Sequence, residues 1–290
     1  MEAFAQAIKA ALLSACPGCQ IEVKGANNGF DQDKMLSITD PNSRITKAIP
    51  LDSFFREYTA GRNLAEICFV LAEAYREICR HENSLLESMQ DFKLAEDSIC
   101  YRLANLEKVR SHPAPIPYLP FIDMAVMFFV SVAESDWLTT IAVSDTMMRG
   151  WGISDTDRLC AAAHRNTCRL FPARLEPMSD LLNSLLPEQD RVDDLPNPMF
   201  VLSNSRRMYG SSVILYDGVI KSSVDMLGDD LIIIPSSIHE ILLIPASNCG
   251  SVESMKEAVL YTNRTVLDAD DVLSDSIYYY SRKRDAFRIL

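Results

Sequence analysis

Histidine is scarce in this chain. There are four in 290 residues (His81, His112, His164 and His239), and no two fall at a ligand spacing, which argues against a histidine-rich metal centre. Glycine-rich phosphate loops are missing as well: there is no G-x-x-x-x-G-K-[ST], and no G-x-G-x-x-G follows a strand. The nearest approach to a G-x-S-x-G nucleophile elbow is "YGSS" at 209–212, which lacks the second glycine. Basic charge is in deficit, with 28 Lys and Arg against 40 Asp and Glu and a formal net charge of −12. A field of that sign repels a phosphate backbone, so nucleic acid is disfavoured and another protein is the expected partner. The basic residues cluster only in "SRKRDAFR" at 281–288, which reads as a solvated tail. Long apolar runs are absent too. The longest, 121–133, has 13 residues, contains Asp123 and is too short to span a bilayer. The N-terminal stretch has no basic region and no small-residue cleavage pattern. A cytoplasmic setting is therefore expected, with the eight cysteines as reduced thiols.

The remaining patterns specify an α+β fold. Residues 2–16 read as an amphipathic helix ended by Pro17-Gly18, followed by three short strands, "QIEVKG", "MLSITD" and "TKAIPL", with turns at 27–29 and 40–42. Asn63 followed by Glu66 marks a capped helix start, and Leu64, Ile67, Cys68, Leu71 and Tyr75 recur at helical spacing. A second helix is predicted over 91–109 on the stripe Phe92, Ala95, Ile99, Leu103, Leu106. "HPAPIPYLP" at 112–120 is a stiff proline connector, and it divides the chain into lobes 1–112 and 113–290, expected to pack closely together. Beyond it, "FIDMAVMFFVSVA" and "WLTTIAVS" read as strands, and Ser154 to Asp157 caps a helix. "MFVLSN", "SSVILY", "LIII" and "HEILLI" are four more strand candidates, followed by a helix over 252–263 and a last strand, "SDSIYYYS". Strands grouped with helices between the groups predict mostly antiparallel sheets with helices packed on one side.

Three places could carry chemistry. Cys16-Pro17-Gly18-Cys19 is a C-x-x-C, but it closes a helix, where the dipole disfavours a thiolate, and no second C-x-x-C completes a zinc site. "PSSIHE" at 235–240 sets Ser236, Ser237, His239 and Glu240 between two apolar runs. If a strand covers 237–244, Ser237 and His239 share one face, while Glu240 points away and cannot orient His239. A hydrolase would then use Ser237 as nucleophile, His239 as base and a carboxylate such as Asp275. The alternative is that these side chains satisfy backbone groups where two buried strands are joined. Trp151, between two glycines, and Asn166, on the buried stripe of a helix, are further binding candidates. No cofactor and no metal is expected.

Several stretches in order carry a resemblance: "NNG" (27–29), "EYTAG" (57–61), "FIDMAV" (121–126), "WGIS" (151–154), "AHRNT" (163–167), "PMFVLSN" (198–204), "YGSS", "PSSIHE" and "LSDSIYYY" (273–280). Together they resemble the Clostridia-type bacterial family called domain of unknown function fifty-six eighty-eight, over nearly the whole chain. The resemblance implies a bacterial cytoplasmic protein and suggests an accessory role in mobile elements or phage conflict. It brings no catalytic residues and no cofactor. The leading expectation is a non-enzymatic binding or regulatory protein, with the Ser237/His239 hydrolase as the alternative.

Overall fold

Helix α1 (Glu2–Ala15) turns Phe4, Ala5, Ile8 and Leu12 inward at three- and four-residue intervals. The computed structural model describes residues 2–25, 34–39, 46–112, 115–134, 137–185, 191 and 198–290. The turns expected at 27–29 and 40–42 lie outside those residues. The chain divides into two units, one of Met1–Ile99 with Phe129–Leu159 and one of Cys100–Phe128 with Cys160–Leu290. The proline segment at which the sequence reading divides the chain lies inside the second unit.

In the first unit, α1 leads into an antiparallel meander of β1 (Gln20–Gly25), β2 (Lys34–Thr39) and β3 (Thr46–Pro50). Helices α2 (Asp52–Thr59) and α3 (Leu64–Ser88) follow, and Asn63 caps α3 by accepting from the Ala65 amide at 2.8 Å. Ile8, Leu12, Leu36, Ile38, Ile49, Ile67 and Leu71 make one core from helices and sheet. The C-x-x-C closes α1 as expected. Gly18 takes φ +94°, Cys16 is buried, and the Cys19 thiol sits 2.9 Å from the Tyr75 hydroxyl.

The helix expected over 91–109 is instead four elements: α4 (Phe92–Ala95), a 3-10 turn (Glu96–Ser98), β4 (Ile99–Asn105) and α5 (Leu106–Arg110). Ile99 and Leu103 satisfy both a helical and an alternating pattern, but Cys100 and Tyr101 are buried too, which a single helical stripe cannot do. The β-branched and aromatic residues of "ICY" suit a strand buried on both faces. After β5 (Tyr118–Phe121), a turn at Ile122 and Asp123 leads into β6 (Met124–Glu134). Residues 124–127 of β6 pair with β5 in the second unit, and residues 129–134 pair with β7 (Trp137–Ala142) in the first. Helix α6 (Asp145–Gly150) then leads to α7 (Asp157–Leu170), whose first amide donates to Asp155 at 3.0 Å.

The rest of the second unit is a six-stranded sheet. In chain order it contains β8 (Ala173–Pro177), β9 (Phe200–Asn204), β10 (Leu231–Ile234), β11 (Ile241–Pro245), β12 (Tyr278–Ser281) and β13 (Ala286–Ile289). Its spatial order is β13-β12-β10-β11-β9-β8, with every neighbour antiparallel. Helices α8 (Met178–Leu185), α9 (Val219–Leu227) and α10 (Val252–Thr265) connect it. On one face Ile232, Ile234 and Ile244 pack with Val259 of α10. The α+β class with antiparallel sheets is therefore what this chain builds.

Two further expectations differ. "SSVILY" is a tight 3-10 turn, Gly210–Leu215, because Tyr209 enters it in the left-handed conformation (φ 54°) and residues 210–214 are buried against neighbouring chain segments. The tail at 281–288 is no loose terminus: it turns at 282–285 and returns as β13 against β12.

Candidate functional site: the loop around His239

The expected strand at 237–244 begins only at Ile241, so residues 235–240 form a loop joining β10 to β11. Most of that loop is buried, and a buried backbone must find partners for its N–H and C=O groups. Several of these groups are answered by named partners. The Ser237 amide donates to the Glu240 carbonyl at 3.3 Å, and the Ile238 amide donates to the Asp271 carbonyl at 2.9 Å. The His239 amide donates to Ser237 Oγ at 3.0 Å. From the other side, Ser211 gives both its amide and its hydroxyl to the Ile238 carbonyl, the latter at 2.7 Å, and Ser203 Oγ donates to the His239 carbonyl at 2.8 Å. The segments "PMFVLSN" and "YGSS" thus clasp "PSSIHE". Gly210 is required for this approach, since a Cβ there would lie 2.0 Å from Ser203 Oγ and 2.4 Å from the His239 carbonyl oxygen.

The His239 ring is buried and held on three sides. Nδ1 accepts from the Tyr209 amide at 3.2 Å, which places the proton of the neutral ring on Nε2. Nε2 faces Asp271 Oδ1 at 3.7 Å, and the Tyr209 ring stacks on the imidazole at 5.8 Å and 15°. The Arg102 guanidinium lies 4.5 Å over that tyrosine. Asp271 is 3% exposed, and its Oδ2 has no hydrogen-bond partner among the described residues.

Of the residues singled out from sequence, Ser237 and His239 do come together, but through the histidine's main chain. The serine hydroxyl meets the His239 backbone amide, not its ring. Asp275 does not join them: it is exposed, precedes β12 instead of lying in a strand, and accepts from Asn263 Nδ2 at 2.8 Å. The carboxylate facing His239 is Asp271, which sequence reasoning missed. It is one of three aspartates in "DADD", and nothing in that run marks the one that turns inward. Ser236 Oγ donates to Glu240 Oε1 at 3.4 Å, so Glu240 and His239 serve different partners. Trp151 lies elsewhere, in the first unit, where it ends α6. Its indole N–H donates to the Met89 carbonyl and its ring meets Phe92 edge-on at 5.6 Å, so the ring is already packed against its own chain. Asn166 is buried on α7 beside Thr167, whose hydroxyl accepts from the Tyr101 amide at 3.0 Å.

A second buried polar knot joins two other motifs. Asp123 of "FIDMAV" accepts from Ser274 Oγ at 2.7 Å and from the Tyr278 hydroxyl, while that hydroxyl also lies 3.0 Å from Ser274 Oγ. Burial raises the Tyr278 pKa, and the hydrogen bond to Asp123 adds to the shift, so the phenol stays protonated as a donor. On α7, His164 Nε2 lies 2.9 Å from Asp217 Oδ2, and burial pushes the nearby Cys168 thiol up, away from nucleophilic thiolate chemistry. Among the described residues no group of three or more His, Cys, Asp or Glu side chains could hold a metal ion, and no helix is long and apolar enough to cross a membrane.

Compared with known proteins, residues 1–282 match the model of a family of unknown function, DUF5688. Neither a curated protein nor a solved structure matches the chain.

Proposed function

The chain belongs to that family of unknown function, and we propose from its site alone that it acts by binding: a cytoplasmic regulatory protein working through a protein partner. The observation that carries this reading is that the Nδ1 lone pair of His239 is taken by a backbone amide of its own chain. A general base needs a nitrogen lone pair open toward a nucleophile. Here the Nδ1 lone pair takes the Tyr209 amide, Nε2 faces Asp271, and the Ser237 hydroxyl accepts from a backbone amide. The polar residues of "PSSIHE" therefore serve as the ties of a clasp.

The net charge of −12 supports a protein partner over nucleic acid. Phe69 on α3 leaves 65% of its area exposed beside the half-buried-to-exposed Val70, and aromatic side chains of this kind are enriched at interfaces. Two experiments test the reading. A fluorophosphonate probe is expected to leave Ser237 unlabelled by peptide mass spectrometry; a stoichiometric adduct there would overturn the proposal. Cross-linking in the native host is expected to recover one stoichiometric protein, at reduced yield for Phe69→Glu. Recovery of none would count equally against it.

A further inference from the structure

We propose that the β12–β13 hairpin forms a binding site for a small phosphate-bearing ligand. A cavity of about 290 Å³ is lined by Tyr279, Ser281, Arg284, Ala286, Phe287 and Arg288. The strand register explains why it is there. Tyr279 pairs with Arg288 and Ser281 pairs with Ala286 across the two strands, so four of the six lining residues stand on one face of the hairpin. The Ser281–Ala286 pair is small on both strands and leaves a depression. On one side of it stand Tyr279 and Arg288, whose guanidinium lies 4.5 Å over the phenol ring, and on the other stands Arg284 from the turn.

Two guanidinium groups meet at this depression. Arg62, Arg76, Arg110, Arg174, Arg207 and Arg282 each have a carboxylate partner. Arg284 and Arg288 line one cavity and have none among the described residues. Nearby acids are already committed: Asp225 to Arg282, Asp230 to the Tyr279 hydroxyl and the Arg282 amide, and Asp285 to the Tyr280 hydroxyl. Two guanidinium groups offer the forked donors that suit a phosphate, and Ser281 adds a hydroxyl. The volume suits a phosphate ester with a small body, and Tyr279 supplies a ring beside it. The same chemistry on a polynucleotide is opposed by the field of the chain as a whole.

Titrating sodium pyrophosphate into the full, isotopically labelled chain tests this, with sodium chloride at matched ionic strength as the control. Saturable amide shifts are expected at residues 279–288 and nowhere else of comparable size. Arg284→Gln and Arg288→Gln are each expected to weaken binding at least tenfold, as is Arg288→Lys, which keeps the charge but loses the fork. Thermal melts of these surface variants should match the parent and so exclude unfolding. Shifts that sodium chloride reproduces, or variants that bind as the parent does, would overturn the proposal. So would a twelve-nucleotide oligothymidylate that binds through the same arginines more tightly than pyrophosphate.

Discussion

Two polar segments of the same unit treat their polar atoms in opposite ways. The loop at 235–240 carries two serines, a histidine and a glutamate between two apolar strands, and its groups turn inward to meet chain partners. The turn at 282–285 is as polar, but its Arg284 and the neighbouring Arg288 find no carboxylate among the described residues, while Asp225 and Asp230 are spent on Arg282 and its neighbours. The first arrangement is what a buried backbone demands, because an unanswered N–H or C=O there costs about 1–3 kcal/mol. Solvent makes no such demand at the second. On the proposed reading, a cluster that resembles catalytic machinery serves as a clasp, while a run that resembles a solvated tail carries the shaped, uncommitted charge.

If that contrast is right, substitutions in the clasp should cost stability and those in the hairpin should not. The largest effect is expected for Gly210→Ala, whose methyl would overlap Ser203 Oγ and the His239 carbonyl. A loss of about 3 kcal/mol or more is expected from overpacking, about 6–12 °C in melting temperature for a chain of this size. A melt within a degree of the parent would break the comparison. Ser203→Ala should cost about 1–2 kcal/mol, since it leaves the buried His239 carbonyl without its hydroxyl donor; denaturant titration would read it.

An intermediate effect concerns pH. Burial pushes the Cys100 thiol up to about 12 from an ordinary 9, with a hydrogen bond to Thr167 opposing. The folded chain therefore holds this proton where the unfolded chain releases it. The contribution is complete below about pH 9 and is lost as pH rises toward 12. Tyr101, Tyr216 and Tyr278 are raised by burial too and act in the same direction. Melts from pH 8 to 11 should fall, and less steeply for Cys100→Ala than for the parent. A slope unchanged by the substitution would contradict this assignment. The smallest effect belongs to the hairpin: Arg282→Ala breaks an exposed pair with Asp225 and should cost no more than about 0.5 kcal/mol.

Much of this fold was legible because its signals are local. Asn63 and Asp155 cap the helices they precede, Pro17-Gly18 ends α1, and β1 to β3 alternate as their sequences do. The failures share one cause. Ile99 and Leu103 fit a helix as well as a strand, and "SSVILY" fits a strand as well as a tight turn. In each case neighbours distant in sequence decided the outcome: strand burial for the first, and Ser203 with His239 for the second. At the site, the sequence pointed to this loop and offered the reading that its polar atoms answer the backbone. It could not reveal Asp271 and Tyr209, which reach His239 from two other segments, or Arg102, which covers that tyrosine. The strand premise that separated His239 from Glu240 does not hold, yet the two side chains still part, because a loop turns each toward its own partner.

The central claim is that the His239 ring is fixed by its own chain, and its tautomer tests this most directly. Long-range proton–nitrogen correlation at pH 8, assigned with His239→Gln, is expected to show a neutral ring with its proton on Nε2 and an unprotonated Nδ1 that accepts from Tyr209. A proton on Nδ1, with Nε2 free to serve as a base, would contradict the account.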